Sequence, residues 1–149
     1  MTAQEFVQKW APSELRERQG SQEHFIDLCR LLEEPTPAES DPSGKRYCFD
    51  AGVEKTGGAD GFADVWKKGC FGWEYKGRHR NLTEAYAQLQ RYADSLENPP
   101  LLIVSDMDEI VVHTNFTNTV HQTYRIFLSD LLLADRRRIL KWAFNEPWR

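Results

Sequence analysis

Cysteine is scarce and unpaired in this chain: Cys29, Cys48 and Cys70 are odd in number, far apart, and form no C-x-x-C pair. That argues against both a disulfide framework and a structural zinc site. Long hydrophobic runs are missing too. No stretch approaches the roughly 18 consecutive apolar residues of a membrane span, and residues 1–10 lack the basic-then-apolar pattern of a secretory signal. A cytoplasmic protein is expected. A basic excess is also absent: the net charge is -4, whereas a dedicated DNA-binding module is usually basic throughout. The charge is uneven, however. Residues 1–60 carry 12 acids against 7 bases, residues 61–92 carry 3 against 6, and residues 93–149 carry 8 against 6. One locally basic segment therefore sits inside an acidic chain.

What is present describes one globular domain. The 149 residues are 40% apolar and 28% charged, enough for a single core and too apolar for disorder. Residues 11–34 have helical periodicity, with Phe25, Leu28, Cys29 and Leu32 on one stripe. Pro35, Pro37 and Pro42 mark a polar loop. Strands are expected at 46–53, 62–66 and 70–76, then a helix from Thr83 with Ala85, Leu89, Tyr92, Ala93 and Leu96 on one face. Asn98-Pro99-Pro100 stops it. Further strands are expected at 101–104, 110–114 and 124–128, and a closing helix at 130–144. The order predicts an α/β fold with a mixed β-sheet flanked by helices.

The chemistry concentrates in the basic segment. Lys67-Lys68-Gly69 suits a three-residue hairpin loop with glycine in the left-handed third position. That loop would pair Trp66 with Cys70, Val65 with Phe71 and Asp64 with Gly72. Alternation then puts Phe71, Trp73 and Tyr75 on one face and Gly72, Glu74 and Lys76 on the other. Asp64 joins the second face, diagonal to Glu74, over a gap left by Gly72. Two carboxylates on diagonal positions can share a cation. Magnesium binds through one or two carboxylates and keeps several waters, and it serves phosphodiester hydrolysis by polarising phosphate and activating water. Lys76 would orient the attacking water or neutralise charge on phosphorus. An acid-x-Lys match is expected about once by chance in such a composition, so a salt-bridged hairpin is the competing explanation. Gln88 and Tyr92 add a Gln-x-x-x-Tyr pair on the following helix.

A strand pair bearing Asp64, Glu74 and Lys76, followed by a helix bearing Gln88 and Tyr92, resembles the PD-(D/E)xK nuclease superfamily in its RecB-like branch. The text ADVWKKGCFGWEYKG, with AYAQLQRYADSLENPPLLIVSDMDEIVVHTNFTNTV after it, resembles the N-terminal nuclease domain of the MmeI-like restriction-modification enzymes. These are single chains fused to an N6-adenine DNA methyltransferase. The resemblance implies that Asp64 and Glu74 ligate the metal, together with the Tyr75 backbone carbonyl. It implies that Lys76 is the catalytic lysine, and that Gln88 and Tyr92 position the site or the DNA backbone. Lys67, Lys68, Arg78 and Arg80 become candidate DNA contacts. The implied activity is a magnesium-dependent type II endonuclease acting in phage defence in a prokaryotic cytoplasm, with manganese as a substitute ion. The implied partners are double-stranded DNA and the methyltransferase and target-recognition parts of a longer polypeptide, to which S-adenosylmethionine would belong. Residues 1–149 would be its single nuclease domain. Asp64 lacks the preceding proline common in the superfamily. Glu23 points away from the apolar stripe of its helix and is left unassigned, while Asp50 and Glu54 are further acidic candidates. The competing class is a non-catalytic accessory domain of the same fold that contacts DNA or protein.

Other motifs carry less. Asn98-Pro99-Pro100-Leu101 imitates a methyltransferase motif but lacks its aromatic residue and a glycine-rich loop, so a helix stop is expected. Asp106-Met107-Asp108 imitates a phosphatase nucleophile, with too little chain after it for the partner groups; an acidic turn is expected. His113 and His121 show no metal-ligand pattern. Arg136, Arg137 and Arg138 read as a solvated helix face.

Overall fold

A computed structural model describes residues 1–12, 17–51, 63–77, 81–116, 119–145 and 147. Six strands form one mixed sheet in the order β1 (Tyr47–Ala51), β2 (Ala63–Lys67), β3 (Phe71–Tyr75), β4 (Leu101–Ser105), β5 (Glu109–Thr114), β6 (Thr123–Phe127). Every neighbouring pair is antiparallel except β3 and β4, which run parallel and are joined through helix α4 (Leu82–Tyr92). A parallel pair needs such a crossover. The α/β class with a mixed sheet and flanking helices is as expected.

One face of the sheet carries the larger core. Phe71, Trp73 and Tyr75 of β3 lie on it with Ile103 of β4 and Val112 of β5. Helices α1 (Ala3–Trp10), α2 (Glu17–Leu32) and α5 (Ala134–Asn145) cover that face, through Phe6 and Trp10, the Phe25–Leu28–Cys29–Leu32 stripe, and Leu140, Ala143 and Phe144. The other face is smaller and is covered by α4, whose Ala85 and Leu89 meet Leu102, Val104 and Val111. Leu96, on the 3-10 turn Asp94–Leu96, closes this layer. Among the described residues no helix is long and apolar enough to cross a membrane.

Several elements differ from the sequence reading. Helix α1 lies outside the elements expected from the sequence, and Thr2 and Glu5 form a reciprocal capping box that starts it. The proline loop holds a short helix, α3 (Pro37–Ser40), capped by Thr36 and Glu39 in the same way. The closing helix is split. A 3-10 segment spans Leu128–Leu132, and α5 starts only at Ala134. The α-helix ends at Tyr92, earlier than the expected stop, and a 3-10 turn fills Asp94–Leu96 before the chain turns at Asn98. Glu97 and Asn98 both take positive φ, and the Asn98 amide donates to the Ala93 carbonyl.

Candidate active site

The β2–β3 hairpin has a different register from the expected one. Lys67 pairs with Phe71, Trp66 with Gly72 and Val65 with Trp73. The turn is Lys67-Lys68-Gly69-Cys70, closed by the Cys70 amide on the Lys67 carbonyl at 3.0 Å. Gly69, at φ 78, takes the third position of this four-residue turn, where a type II turn requires a positive φ. Gly69 is left-handed as expected, but it stands one place earlier in the loop than a three-residue hairpin requires. The correction moves the partner strand by two residues. An even shift leaves every side chain on its face, so Glu74 and Lys76 still share the α4 side of β3. Continuing the register by one step brings Asp64 directly opposite Glu74 instead of diagonal to it.

Glu74 is 8% exposed. The Asp64 carboxylate accepts a 2.7 Å hydrogen bond from the Tyr75 amide, which fixes it beside the Tyr75 backbone. Asp50 stands at the corresponding position of β1, where its φ of 52 interrupts the ladder between Phe49↔Val65 and Ala51↔Ala63. Burial, and then the charge of Asp64, pushes the Asp50 carboxyl upward. Its Oδ2 accepts from Gln22 Nε2 of α2 at 3.3 Å. Three acids thus occupy three neighbouring strands, but the described residues hold no group of three or more potential ligands placed around one ion. Asp64 and Glu74 remain as a two-carboxylate set. Like charges directly opposite in a sheet destabilise it, and a divalent cation removes that repulsion. Oxygen donors in this number fit magnesium.

The glycine gap is not open. A Cβ on Gly72 would come within 2.9 Å of Leu96 Cδ1 and within 4 Å of side chains of Leu102 and Leu89. Leucine side chains fill the space expected to face a ligand. Lys76 is half-buried just past β3, its amide donating to the Ser105 carbonyl at 2.8 Å. Asn81 caps α4 by accepting from the Thr83 and Glu84 amides. Tyr86 leaves α4 on the β5 side, stacked on His113 at 3.7 Å. With 3.6 residues per turn, Gln88 and Tyr92 lie on the flank of α4 away from Tyr86, and both are half-buried.

The candidate DNA-contact residues divide. The Lys67 ammonium donates to the Phe144 carbonyl at 2.8 Å and lies over the Tyr47 ring, which ties it to the end of α5. Lys68 sits at the hairpin turn, 3.6 Å from the Glu97 carboxylate. Arg78, Arg80 and Glu54 lie outside the described residues. Glu23 pairs with Lys9 at 2.6 Å. Asp106 accepts from the Asp108 and Glu109 amides at 2.7 and 2.9 Å, which makes it the organiser of the acidic turn.

Two arrangements were not visible in the sequence. His24 is buried among Phe6, Trp10 and Tyr75, with its Nδ1 2.8 Å from the Tyr75 hydroxyl. Burial drives this imidazole down to about 3. Tyr75 also stacks on Trp73, whose indole donates to Ser105 at 2.9 Å. The residues on either side of Glu74 therefore anchor β3 in the main core. His113 and His121 come together despite their spacing, Nδ1 to Nε2 at 3.1 Å beside Tyr86. Burial, and then His121, takes His113 down to about 4. Both histidines belong to the β5–β6 hairpin, whose register sets His113 across from Thr123 and near His121, while α4 contributes Tyr86, so no metal-ligand motif announces the pair.

The architecture defines an α/β domain: a six-stranded mixed sheet covered by helices, with a carboxylate-bearing hairpin beside the crossover helix. The chain belongs to the family described as MmeI, N-terminal domain, which matches residues 1–148. This is the nuclease region of a restriction-modification enzyme, a class that acts on DNA and uses a metal cofactor. Comparison with curated proteins and with solved structures gives no match.

Proposed function

We propose that this domain is a magnesium-dependent DNA endonuclease, the N-terminal part of a longer restriction-methyltransferase polypeptide. The observation that carries the reading is the hairpin register, which sets Asp64 across from Glu74 with Lys76 on the same face. Asp64, Glu74 and the Tyr75 carbonyl would hold the ion, with manganese able to replace magnesium. When bound, it supplies polarisation of the phosphate and a water of lowered pKa. The protein's own contribution is placement. The Tyr75 amide holds the Asp64 carboxylate, and the His24–Tyr75–Trp73 anchor holds the strand. Lys76 directs its ammonium to the attacking water or to the charge that develops on the phosphoryl oxygens, where a fixed cation is most effective. Gln88, from the near flank of α4, orients the same groups. Tyr92, Lys68, Arg78 and Arg80 contact the DNA backbone, while Lys67 acts through its hold on α5. Methyl transfer from S-adenosylmethionine and target recognition belong to the remainder of the polypeptide.

The test is cleavage by the native polypeptide. Asp64→Ala and Lys76→Ala are expected to keep the circular dichroism spectrum and the DNA affinity. They should lose magnesium-dependent cleavage by about a hundredfold or more, the scale on which single proton-transfer or charge-stabilising groups act. Asp106→Asn keeps the acceptor of its turn and should cut normally. Undiminished cleavage by Asp64→Ala would leave a non-catalytic contact module on the same fold.

A further inference from the structure

At the turn end of β1, β2 and β3 the fold closes a concavity of about 460 Å³, lined by Lys45, Arg46, Lys67 and Lys68 together with Ser43 and Asp41. Its cations come from two segments some twenty residues apart. Lys45 and Arg46 belong to the acidic part of the sequence and Lys67 and Lys68 to the basic part. Pairing of the strands joins them: Tyr47 faces Lys67, and the Lys68 amide donates to the Arg46 carbonyl at 2.7 Å.

The acid in the concavity is occupied. Asp41 accepts from the Arg46 and Tyr47 amides at 2.6 and 3.1 Å and from the Ser43 hydroxyl at 2.5 Å, so its carboxylate shapes the loop. Lys67 is held by Phe144. Lys45 and Arg46 are exposed and make no ion pair among the described residues. Lys68 makes a long, exposed ion pair with Glu97 at 3.6 Å, so four cations stand against one committed carboxylate and one exposed acid at the rim, a concentrated positive site in a chain of net charge -4. Lys68, the first residue past β2, is four residues from Asp64, at most about 13 Å at 3.3 Å per residue. One DNA strand covers that distance in about four nucleotides at 3.4 Å each.

We propose that this concavity is a backbone-phosphate site for duplex DNA, engaging one or two phosphates about four nucleotides from the bond held at Asp64 and Glu74. The assignment rests on the nuclease reading for the identity of the ligand. It extends the contact surface to Lys45 and Arg46. These cations meet phosphate oxygens, carry no base information, and set the register of the DNA on the domain.

The experiment is a salt titration of DNA affinity with the Asp64→Ala protein, so that cleavage does not interfere. Binding of random-sequence duplex is followed by fluorescence anisotropy between about 50 and 200 mM salt, where counterion release dominates. Lys45→Glu with Arg46→Glu should lower the slope of log K against log salt by about one to two units and weaken all sequences alike. Arg125→Glu with Arg138→Glu makes the same change of net charge at exposed positions and should lower it less. Equal slopes for the two double variants overturn the site, and so does a parent chain with no salt-dependent binding. Saturable binding of inorganic phosphate at the concavity, with the DNA slope unchanged, would assign it to a free anion and overturn the proposal as well. Cleavage lost in Asp64→Ala alongside an unaltered slope in Lys45→Glu/Arg46→Glu removes this inference and leaves the nuclease reading standing.

Discussion

Gly72 has no room for a side chain, because Leu96 occupies the space above it at 2.9 Å. Gly72→Ala forces this buried leucine to shift, and overpacking of this kind costs about 1–3 kcal/mol. A urea midpoint lowered to that extent is expected, with partial recovery in Gly72→Ala/Leu96→Ala. A midpoint unchanged by Gly72→Ala would mean that the leucine layer is looser than its contacts indicate. His24 gives a second expectation at the same scale. In the unfolded chain its pKa is about 6.5, and burial brings it to about 3 in the native state. Above 6.5 both states are neutral there and the contribution to stability is complete. As pH falls below 6.5 the unfolded chain takes up a proton that the native chain refuses. Stability is then lost by up to about 1.4 kcal/mol per pH unit until about pH 3. His24→Gln should be less stable at neutral pH yet decline less steeply between pH 6 and 4. Parallel acid limbs in denaturant titrations would count against a buried neutral imidazole.

Elements show where a sequence is legible and where it is not. The α2 stripe and the α4 stripe were readable because each is a long run with one period, and their residues are buried as expected apart from the half-buried Tyr92. The hairpin was readable in its faces and not in its register. Alternation fixes the faces, whereas the register depends on which turn type uses Gly69, and a type II turn and a bulged three-residue loop both want a left-handed glycine. The candidate ligands survived the error because the shift was even. The split of the closing helix and the filling of the Gly72 gap depend on contacts between elements distant in sequence, and the meeting of His113 with His121 depends on the register of the β5–β6 hairpin. No local pattern encodes them. Gly69 also supplies the prediction at this scale. Its φ of 78 is a left-handed conformation with nothing within 4 Å of an added Cβ. Gly69→Ala therefore costs about 1–2 kcal/mol of backbone strain without a clash. Its thermal midpoint should fall while cleavage, assayed well below that midpoint, persists. Cleavage lost in a folded Gly69→Ala protein would reveal that the turn itself touches DNA closely.

The whole molecule sets a limit on what this chain does with DNA. Non-specific affinity comes largely from neutralised phosphates and released counterions, and the chain has a net charge of -4. Only the 61–92 segment has an excess of bases over acids, and Lys45 and Arg46 add to it at the concavity. One or two phosphates there, and a few around the candidate catalytic face, make a small contact set. Sequence readout requires side chains aimed at base edges from an element that fits a groove. Among the described residues, the helices beside the sheet turn their apolar faces to it, and the exposed side of α4 carries no row of bases. The 149-residue chain is therefore expected to bind duplex DNA weakly and without sequence preference. On the proposed function, it should cut slowly or not at all unless the restriction-methyltransferase polypeptide proposed above delivers the DNA. The check is a titration at physiological salt against random duplexes and against duplexes cleaved by the native polypeptide. Equal, weak binding curves are expected. Submicromolar binding that distinguishes one sequence would place target recognition within this domain, on a surface other than the Asp64–Glu74–Lys76 face.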